Sequence, residues 1–310
     1  MCQQLSLIDC IVAGNKLEIT PKVRGFQLHF SHPNGQLYQG DSIDWLSSLD
    51  SESVDLIFAD PPYNIKKAEW DNFASQEKYI DWSMQWISQA ARILKPHGTM
   101  YVCGFSEILA DIKHPAMNFF KSCRWLVWHY KNKANLGNDW GRSHESLLHL
   151  RKTKKVQLNI DEIRIPYGEH TLKYPVHPQA KTSQYGQGTK RKNLWTPHPK
   201  GAKPKDVIEV PTTCNGMGES TPHLTQKPEE LIRKFVLASS HKGDTVLDPF
   251  SGSGTTLVVA EQLNRKWLGC ELDEKYNELA IDRLNHVKRM TVEDWIQFDR
   301  KVAERREKIR

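Results

Sequence analysis

Residues 244–256 read DTVLDPFSGSGTT, and how this stretch is read decides the fold. DTVLD (244–248) has the form of a short buried strand, and TTLVVAEQL (255–263) that of the helix after it. Between them, Gly252 and Gly254 let the backbone turn tightly and come close to a ligand. The helix N-terminus that opens there offers free N–H groups. KWLGCEL (266–272) reads as the next strand and ends in Glu271, about twenty residues on, where an acid can accept hydrogen bonds from ribose hydroxyls. A glycine-rich turn can serve structure alone. The sequence strand, turn, helix, strand, acid points instead to a nucleoside cofactor. The pattern is not a P-loop, because no G-x-x-x-x-G-K-[ST] occurs. Nor is it the full dinucleotide fingerprint, because Leu257 stands where the third glycine would.

Working outward, PEELIRKFVLAS (228–239) reads as a helix before this unit and DEKYNELAIDRLNHV (273–287) as one after it. In the first half, QLYQGDSIDWLSSL (36–49) reads as a strand, a turn at Gly40-Asp41 and a helix, and VDLIFAD (54–60) as a buried strand. EKYIDWSMQWISQAARIL (77–94) carries Tyr79, Trp82, Trp86, Ala90, Ile93 and Leu94 at helical spacing and stops at Lys95-Pro96. GTMYVCG (98–104) is the next strand; a helix near 106–120 and the strand RWLVWHYK (124–131) follow. This alternation predicts a mostly parallel sheet with helices on both faces. Residues 153–222 break the pattern, being rich in Pro, Gly, Lys and His with little periodicity. A segment of that length inside a domain is functional or disordered. The stretch after about 291 reads as a charged, largely exposed helix.

Charge singles out the same break. Residues 151–205 hold thirteen Lys and Arg against Asp161, Glu162 and Glu169, a net +10, so the rest of the 310-residue chain carries −4 of the total +6. Such a segment fits contact with a polyanion, although a solvated basic loop has the same composition. No run approaches the roughly 20 apolar residues of a membrane span, and residues 1–20 lack the basic start and apolar core of a leader. The six cysteines (Cys2, Cys10, Cys103, Cys123, Cys214, Cys270) form no C-x-x-C pair, which argues against structural zinc and a disulfide framework. A reduced, cytoplasmic location is expected.

The strand VDLIFAD runs into Asp60-Pro61-Pro62-Tyr63. Prolines lack the N–H and fix φ, so they end strands, and this could be a turn and no more. Together with the late FSGSGTT and Glu271, however, the pattern resembles a site for S-adenosyl-L-methionine. The whole chain resembles the beta class of DNA amino-methyltransferases, whose motifs run in permuted order. The motifs that carry the likeness are Asp60-Pro61-Pro62-Tyr63, then the basic segment, then His223-Leu224-Thr225-Gln226-Lys227-Pro228, then FSGSGTT, over residues 36–287.

The resemblance implies an α/β fold: a permuted Rossmann-like, S-adenosyl-L-methionine-dependent methyltransferase with an inserted DNA-recognition region. It implies a segment of unknown role over 1–35, a catalytic half over 36–152 and a recognition insertion over 153–222. A cofactor half over 223–290 and the tail over 291–310 complete the chain. It also implies methyl transfer to an exocyclic amine of a flipped base in double-stranded DNA. That amine is a weak nucleophile, its lone pair being delocalised into the ring. Asp60 and the neighbouring backbone carbonyl would accept both amine hydrogens, Pro61 and Pro62 would hold the turn rigid, and Tyr63 would stack on the base. Asp248, Phe250, Gly252, Gly254, Thr255 and Glu271 would line the cofactor, and Thr225 and Lys227 would meet its methionine end. Asp41 would approach its adenine ring, or simply cap the helix that follows.

Trp70 would cover the base or anchor its loop, and His144-Glu145 would support the sheet on the active-site side or, as the lesser reading, contact the site. Arg151, Lys152, Lys154, Lys155, Lys190, Arg191 and Lys192 would neutralise phosphates, with Gln184, Gln187 and Asn193 as base readers. In the family an aspartate at position 60 is commoner among adenine enzymes and a serine among cytosine enzymes. Adenine N6 is therefore favoured, with cytosine N4 the alternative. A restriction endonuclease and a second copy of the chain are partners that the resemblance allows. Methylation of RNA or a protein amide, and a DNA-binding protein with a dead core, are the competing readings. The intact Asp60, Tyr63 and Gly-x-Gly oppose the last.

Overall fold

A computed structural model of the chain describes residues 25–66, 71–131, 138, 140–154, 158–178, 194–213 and 218–308. The early strands are β1 (Phe26–His32), β2 (Gly35–Gly40), β3 (Val54–Ala59), β4 (Leu94–Gly104), β5 (Ser122–His129) and β6 (His144–Arg151). Helices α1 (Ser42–Ser48), α2 (Gln76–Ile93) and α3 (Ser106–Ala116) lie between them. Among the described residues, a 3-10 turn at Ile160–Glu162, α4 (Glu169–Lys173) and the two-residue strands β7 (His177–Pro178) and β8 (Leu194–Trp195), which pair with each other, stand between β6 and the next strand of the same sheet. The second half supplies β9 (Val207–Glu209), α5 (Glu229–Ser239), β10 (Thr245–Asp248), α6 (Thr255–Gln262), β11 (Lys266–Glu271), α7 (Glu274–Asn285) and α8 (Val292–Lys308).

Among the described residues, nine strands form one sheet in the order β1-β2-β11-β10-β3-β4-β6-β5-β9. The centre, β2-β11-β10-β3-β4, is parallel throughout. The expected mostly parallel sheet is therefore present, with antiparallel ladders toward the edges at β1–β2, β4–β6 and β6–β5. The late strand β10 pairs with the early strand β3, so the two halves share one sheet although the chain visits them far apart. Every residue of β3 is buried. Its side chains alternate: Leu56 and Phe58 join a core with α5, α6 and Trp267, while Ile57 and Ala59 join a second core with α1, α2 and α3. Helices thus cover both faces.

Three elements depart from the sequence reading. The segment before residue 35, given no role, contains β1, which closes an antiparallel hairpin onto β2. The 153–222 region contains β9, which adds to β5 as an edge strand, and its start is tied down by Asn159. Asn159 Nδ2 donates to the carbonyls of Leu237 and Ser240, and its backbone N–H to that of Ala238. The C-terminal helix, expected to be largely exposed, has one face docked. Trp295 of α8 is buried under the Arg233 guanidinium, 4.2 Å from its ring centre, and Asp299 pairs with Arg233 at 2.9 Å. Periodicity in a charge-rich helix hides a single buried tryptophan. Among the described residues no helix is long and apolar enough to cross a membrane.

His149 on β6 lies 4.3 Å from Tyr101 in a near-parallel stack, 4% exposed, with its Nε2 unpartnered. Burial, aided by the charge of Arg151, pushes this imidazole down to about 3. The folded protein therefore holds His149 neutral while the unfolded chain protonates it below about pH 6.5. Stability present above that pH is lost as pH falls toward 3, at about 1.4 kcal/mol per pH unit. In His149→Phe, which keeps the stack, thermal melts between pH 7 and pH 4 are expected to vary less with pH than in the wild type.

Candidate active site

All the parallel strands of the centre end at one edge of the sheet, and the motifs gather there. β3 stops at Ala59 because Pro61 and Pro62 cannot continue a ladder, leaving Asp60 at its carboxyl end. The loop beyond is held by a residue that no motif singles out. Asp71 Oδ1 accepts the backbone N–H of Tyr63 and of Asn64, each at 2.6 Å, and its Oδ2 accepts that of Ile65 at 3.2 Å. Asn64 and Lys66 adopt positive φ (56° and 58°), and Lys66 N–H donates to the Asp71 carbonyl at 3.0 Å. Tyr79, from α2, donates its hydroxyl to the Pro62 carbonyl at 2.7 Å.

Asp60 is engaged at both oxygens. Its Oδ1 accepts the Tyr63 hydroxyl at 2.7 Å and its Oδ2 accepts Lys227 Nζ at 2.6 Å. The Tyr63 hydroxyl also lies 3.1 Å from Glu145 Oε2, and Lys227 Nζ lies 3.5 Å from the same atom. Burial alone would depress the Lys227 ammonium, but the charges of Asp60 and Glu145 override it and hold it above its ordinary value. The Tyr63 phenol is pushed up, first by burial and then by Asp60, with Glu145 adding to the effect. Its ring is 9% exposed and meets Phe105 edge-on at 5.0 Å, and the Arg142 guanidinium covers Phe105 at 3.9 Å. Tyr63 therefore does not stand as an open stacking face here, because its hydroxyl is bound inward to two carboxylates.

The same edge opens into a cavity of about 530 Å³ that runs from Asp60 and Tyr63 past Lys227 to Phe250, Gly252 and Glu271. That volume is in the range of small-molecule sites, roughly 300–1,000 Å³. Asp248, buried and pushed up to about 7 by that burial, accepts the Phe250 N–H at 3.0 Å. Gly252 has φ +49° and donates its N–H to Glu271 Oε2 at 2.7 Å; a Cβ there would stand 2.8 Å from His223 Nε2. Glu271 Oε1 accepts the Asp273 N–H at 2.9 Å, and burial raises this carboxyl above its ordinary range. Phe250 rests against Trp86 (5.3 Å) and Trp82 (5.7 Å) of α2.

A glycine cradle, a buried acceptor carboxylate and an aromatic wall in one cavity fit a nucleoside bearing a charged tail. Gly254 has φ +74° and packs against Ala280, serving the turn, and the Thr255 hydroxyl is held by Arg283 at 2.9 Å. Asp41 caps α1, accepting the N–H of Ile43 and Asp44, and also borders the cavity.

A protein-family model described as DNA methylase, for the N6 and N4 enzymes, matches residues 54–282. The chain belongs to this family. It is 33% identical over 257 residues to the Type II methyltransferase M.HpaI of Haemophilus parainfluenzae, covering 81% of this chain and 74% of that one. It is 33% identical over 271 residues to the DNA adenine methyltransferase YhdJ of Escherichia coli K12, covering 86% and 87%. In fold it is similar to the cytosine-N4-specific PvuII DNA methyltransferase (TM-score 0.60, 20% identity, 86% and 92% covered). It is also similar to TTHA0409 of Thermus thermophilus complexed with S-adenosyl-L-methionine (TM-score 0.54, 22% identity, 80% and 92% covered). The protein is a DNA amino-methyltransferase, and S-adenosyl-L-methionine is its cofactor.

In this methylase not every expected residue reaches the site. Arg151 ends β6 opposite Thr99, at the amino edge of the parallel strands, and Lys152 donates to the Leu94 carbonyl at 2.7 Å. With the exposed Lys154 they lie across the sheet from Asp60, because β6 runs antiparallel and carries its C-terminus away from the active edge. The same reversal brings Glu145, at the start of β6, into the Asp60 cluster. Lys155, Lys190, Arg191, Lys192, Gln184, Gln187, Asn193 and Trp70 lie outside the described residues.

Asp71→Asn is expected to leave at least one of the three N–H groups without its acceptor and to loosen the loop after Asp60. A 1 Å misplacement of catalytic groups costs about 100-fold in rate. Single-turnover methyl transfer is expected to fall by about that factor, with cofactor affinity, measured by calorimetry, nearly unchanged.

Proposed function

We propose that the protein methylates the N6 amine of adenine at a specific sequence in duplex DNA, with Asp60 as the amine acceptor and the 153–222 region as the reader of sequence. The observation that carries this reading is the placement of Asp60 in the wall of the cavity that also holds Gly252 and Glu271. Phe250 and Ile43 would flank the cofactor's adenine, Glu271 its ribose, and Thr225 its methionine end. S-adenosyl-L-methionine, when bound, supplies an electrophilic methyl whose bond to sulfur breaks as the base nitrogen takes the carbon.

The chain's own contribution is to prepare the amine. Asp60 accepts one amine hydrogen and the Pro61 carbonyl beside it accepts the other, which favours a pyramidal nitrogen with its lone pair toward the methyl. Asp60 must first exchange its bond from Tyr63 for the bond from the amine. That exchange leaves the Tyr63 hydroxyl to Glu145 alone, about which the ring can pivot toward the base, so that stacking and catalysis begin together. The methylated nitrogen carries one proton in excess, and an Asp60 oxygen is the nearest base to receive it.

The preference for adenine rests on the aspartate that opens the tetrapeptide and on the name of YhdJ. Cytosine N4 presents the same amine beside a ring nitrogen and is the second reading, in keeping with the fold likeness to the PvuII enzyme. A restriction endonuclease is proposed as the cellular partner, following the Type II name of M.HpaI. A homodimer is the proposed assembly, to be read from mass in solution.

Expression in cells free of DNA methylation, followed by genome-wide mapping of modified bases, tests base and sequence together. N6-methyladenine at one short motif is expected, and N4-methylcytosine would overturn the base assignment. Asp60→Ala is expected to lower the rate by about 100- to 1,000-fold, as losing a preorganised polar partner does elsewhere, without loss of cofactor binding. Duplex DNA is expected to compete for methyl transfer far better than structured RNA.

A further inference from the structure

Asp60 is one corner of a buried cluster of three charges drawn from three separate elements. Asp60 follows β3, Glu145 opens β6, and Lys227 immediately precedes the entry to α5. Lys227 is 2.6 Å from Asp60 and 3.5 Å from Glu145, with side chains 6%, 16% and 15% exposed. The Tyr63 hydroxyl spans the two carboxylates, and Cys103 Sγ approaches Glu145 Oε2 at 3.5 Å. Lys227 and Asp60 line the cavity and Glu145 does not.

Stability alone gives poor reason for this composition. A buried ion pair gains little over apolar packing, and a second carboxylate beside an ammonium that is already paired adds a desolvation cost with no cation of its own. The cluster's charge has a use in the reaction. Lys227 and Asp60 by themselves would be neutral, and an acceptor so neutralised binds amine hydrogens less strongly. Glu145 returns the cluster to a net charge of −1 beside the atom where positive charge develops. A preorganised charge of opposite sign at that point lowers the barrier.

We infer that Glu145 is a positioning residue for methyl transfer, acting through Lys227 and Tyr63. It shares both of Asp60's partners, so the carboxylate keeps its orientation toward the cavity and its negative character while Lys227 stays charged. The inference rests on the methyl-transfer reading above. It assigns to Glu145 a part in the chemistry beyond support of the sheet.

Charge-changing variants give the test. Glu145→Gln keeps the shape and an acceptor for Tyr63 but makes the cluster neutral; Lys227→Met leaves −2; the double variant restores −1. Single-turnover rates, KM for duplex DNA, calorimetric cofactor affinity and melting temperature are measured for each, with the wild type alongside. Glu145→Gln is expected to lose at least tenfold in rate, with KM and cofactor affinity within about threefold. Glu145→Asp, which keeps the charge, is expected to recover part of the loss. The double variant is expected to be no slower than Glu145→Gln, because the charge balance is repaired; a structural role predicts that the losses compound. An active wild type with Glu145→Gln at full rate, or a double variant showing compounded losses, overturns the inference alone. A wild type that methylates no DNA overturns the functional reading, and the inference with it.

Discussion

Pro61 and Pro62 have no N–H to offer, so β3 ends at once, and the first three backbone donors beyond them belong to Tyr63, Asn64 and Ile65. All three point at the carboxylate of Asp71, which is 1% exposed. A carboxylate that accepts several backbone N–H groups is among the stronger anchors a loop can have. An unsatisfied buried donor costs about 1–3 kcal/mol, a penalty that bears fully on the buried Tyr63 N–H and less on the part-buried N–H groups of Asn64 and Ile65. Tyr79 adds a further tie at the Pro62 carbonyl. With the backbone fixed on both sides, Asp60 cannot swing away from the cavity. The rest of the site is arranged around a group whose position this loop fixes.

The sheet order explains how distant motifs meet. β10 enters between β11 and β3, so the turn after Asp248 and the turn after Ala59 become neighbours at one edge. Ligands of open parallel sheets bind at the carboxyl ends of the strands, where successive turns leave a crevice. Reordering the chain does not disturb this, because what matters is which strand ends lie side by side. Arg283 of α7 reinforces the arrangement from behind. It donates to the Ser253 carbonyl and the Thr255 hydroxyl while pairing with Glu229 at 2.9 Å, and so links the glycine turn to the start of α5.

What can be read from the residues alone is whatever repeats or punctuates. Continuous apolar runs mark β3, β4 and β10, helical spacing marks α2 and α5, and prolines and glycines mark the turns. These suffice for the α/β class and for its parallel centre. β6 escapes such a reading because HESLLHLR continues into a basic run and resembles the start of the insertion. Its antiparallel course, which decides that Glu145 is near Asp60 and Arg151 is not, is a property of pairing that no local pattern encodes. Asp71 is a lone carboxylate eleven positions after Asp60, and only the folded loop reveals its three donors. The docked face of α8 rests on Trp295, the Asp299–Arg233 pair and the half-buried Val292 and Ile296, too few to stand out among exposed charges. A basic composition suggests contact with phosphate, yet Lys152 uses its charge on a carbonyl of the chain itself.

Tyr63 shows how a site can be both stable and ready. A buried hydroxyl and a largely buried carboxylate each need a partner, and here they serve one another at 2.7 Å. In the proposed reaction a base amine entering the cavity would offer Asp60 a donor of the same kind, exchanging one hydrogen bond for another at little net cost. The Tyr63 hydroxyl does not go without, since Glu145 lies 3.1 Å away and can take it alone. The second carboxylate thus also gives the displaced hydroxyl a place to go. In that reading the polar groups would stay satisfied throughout, leaving the energy of entry for stacking and for aligning the amine.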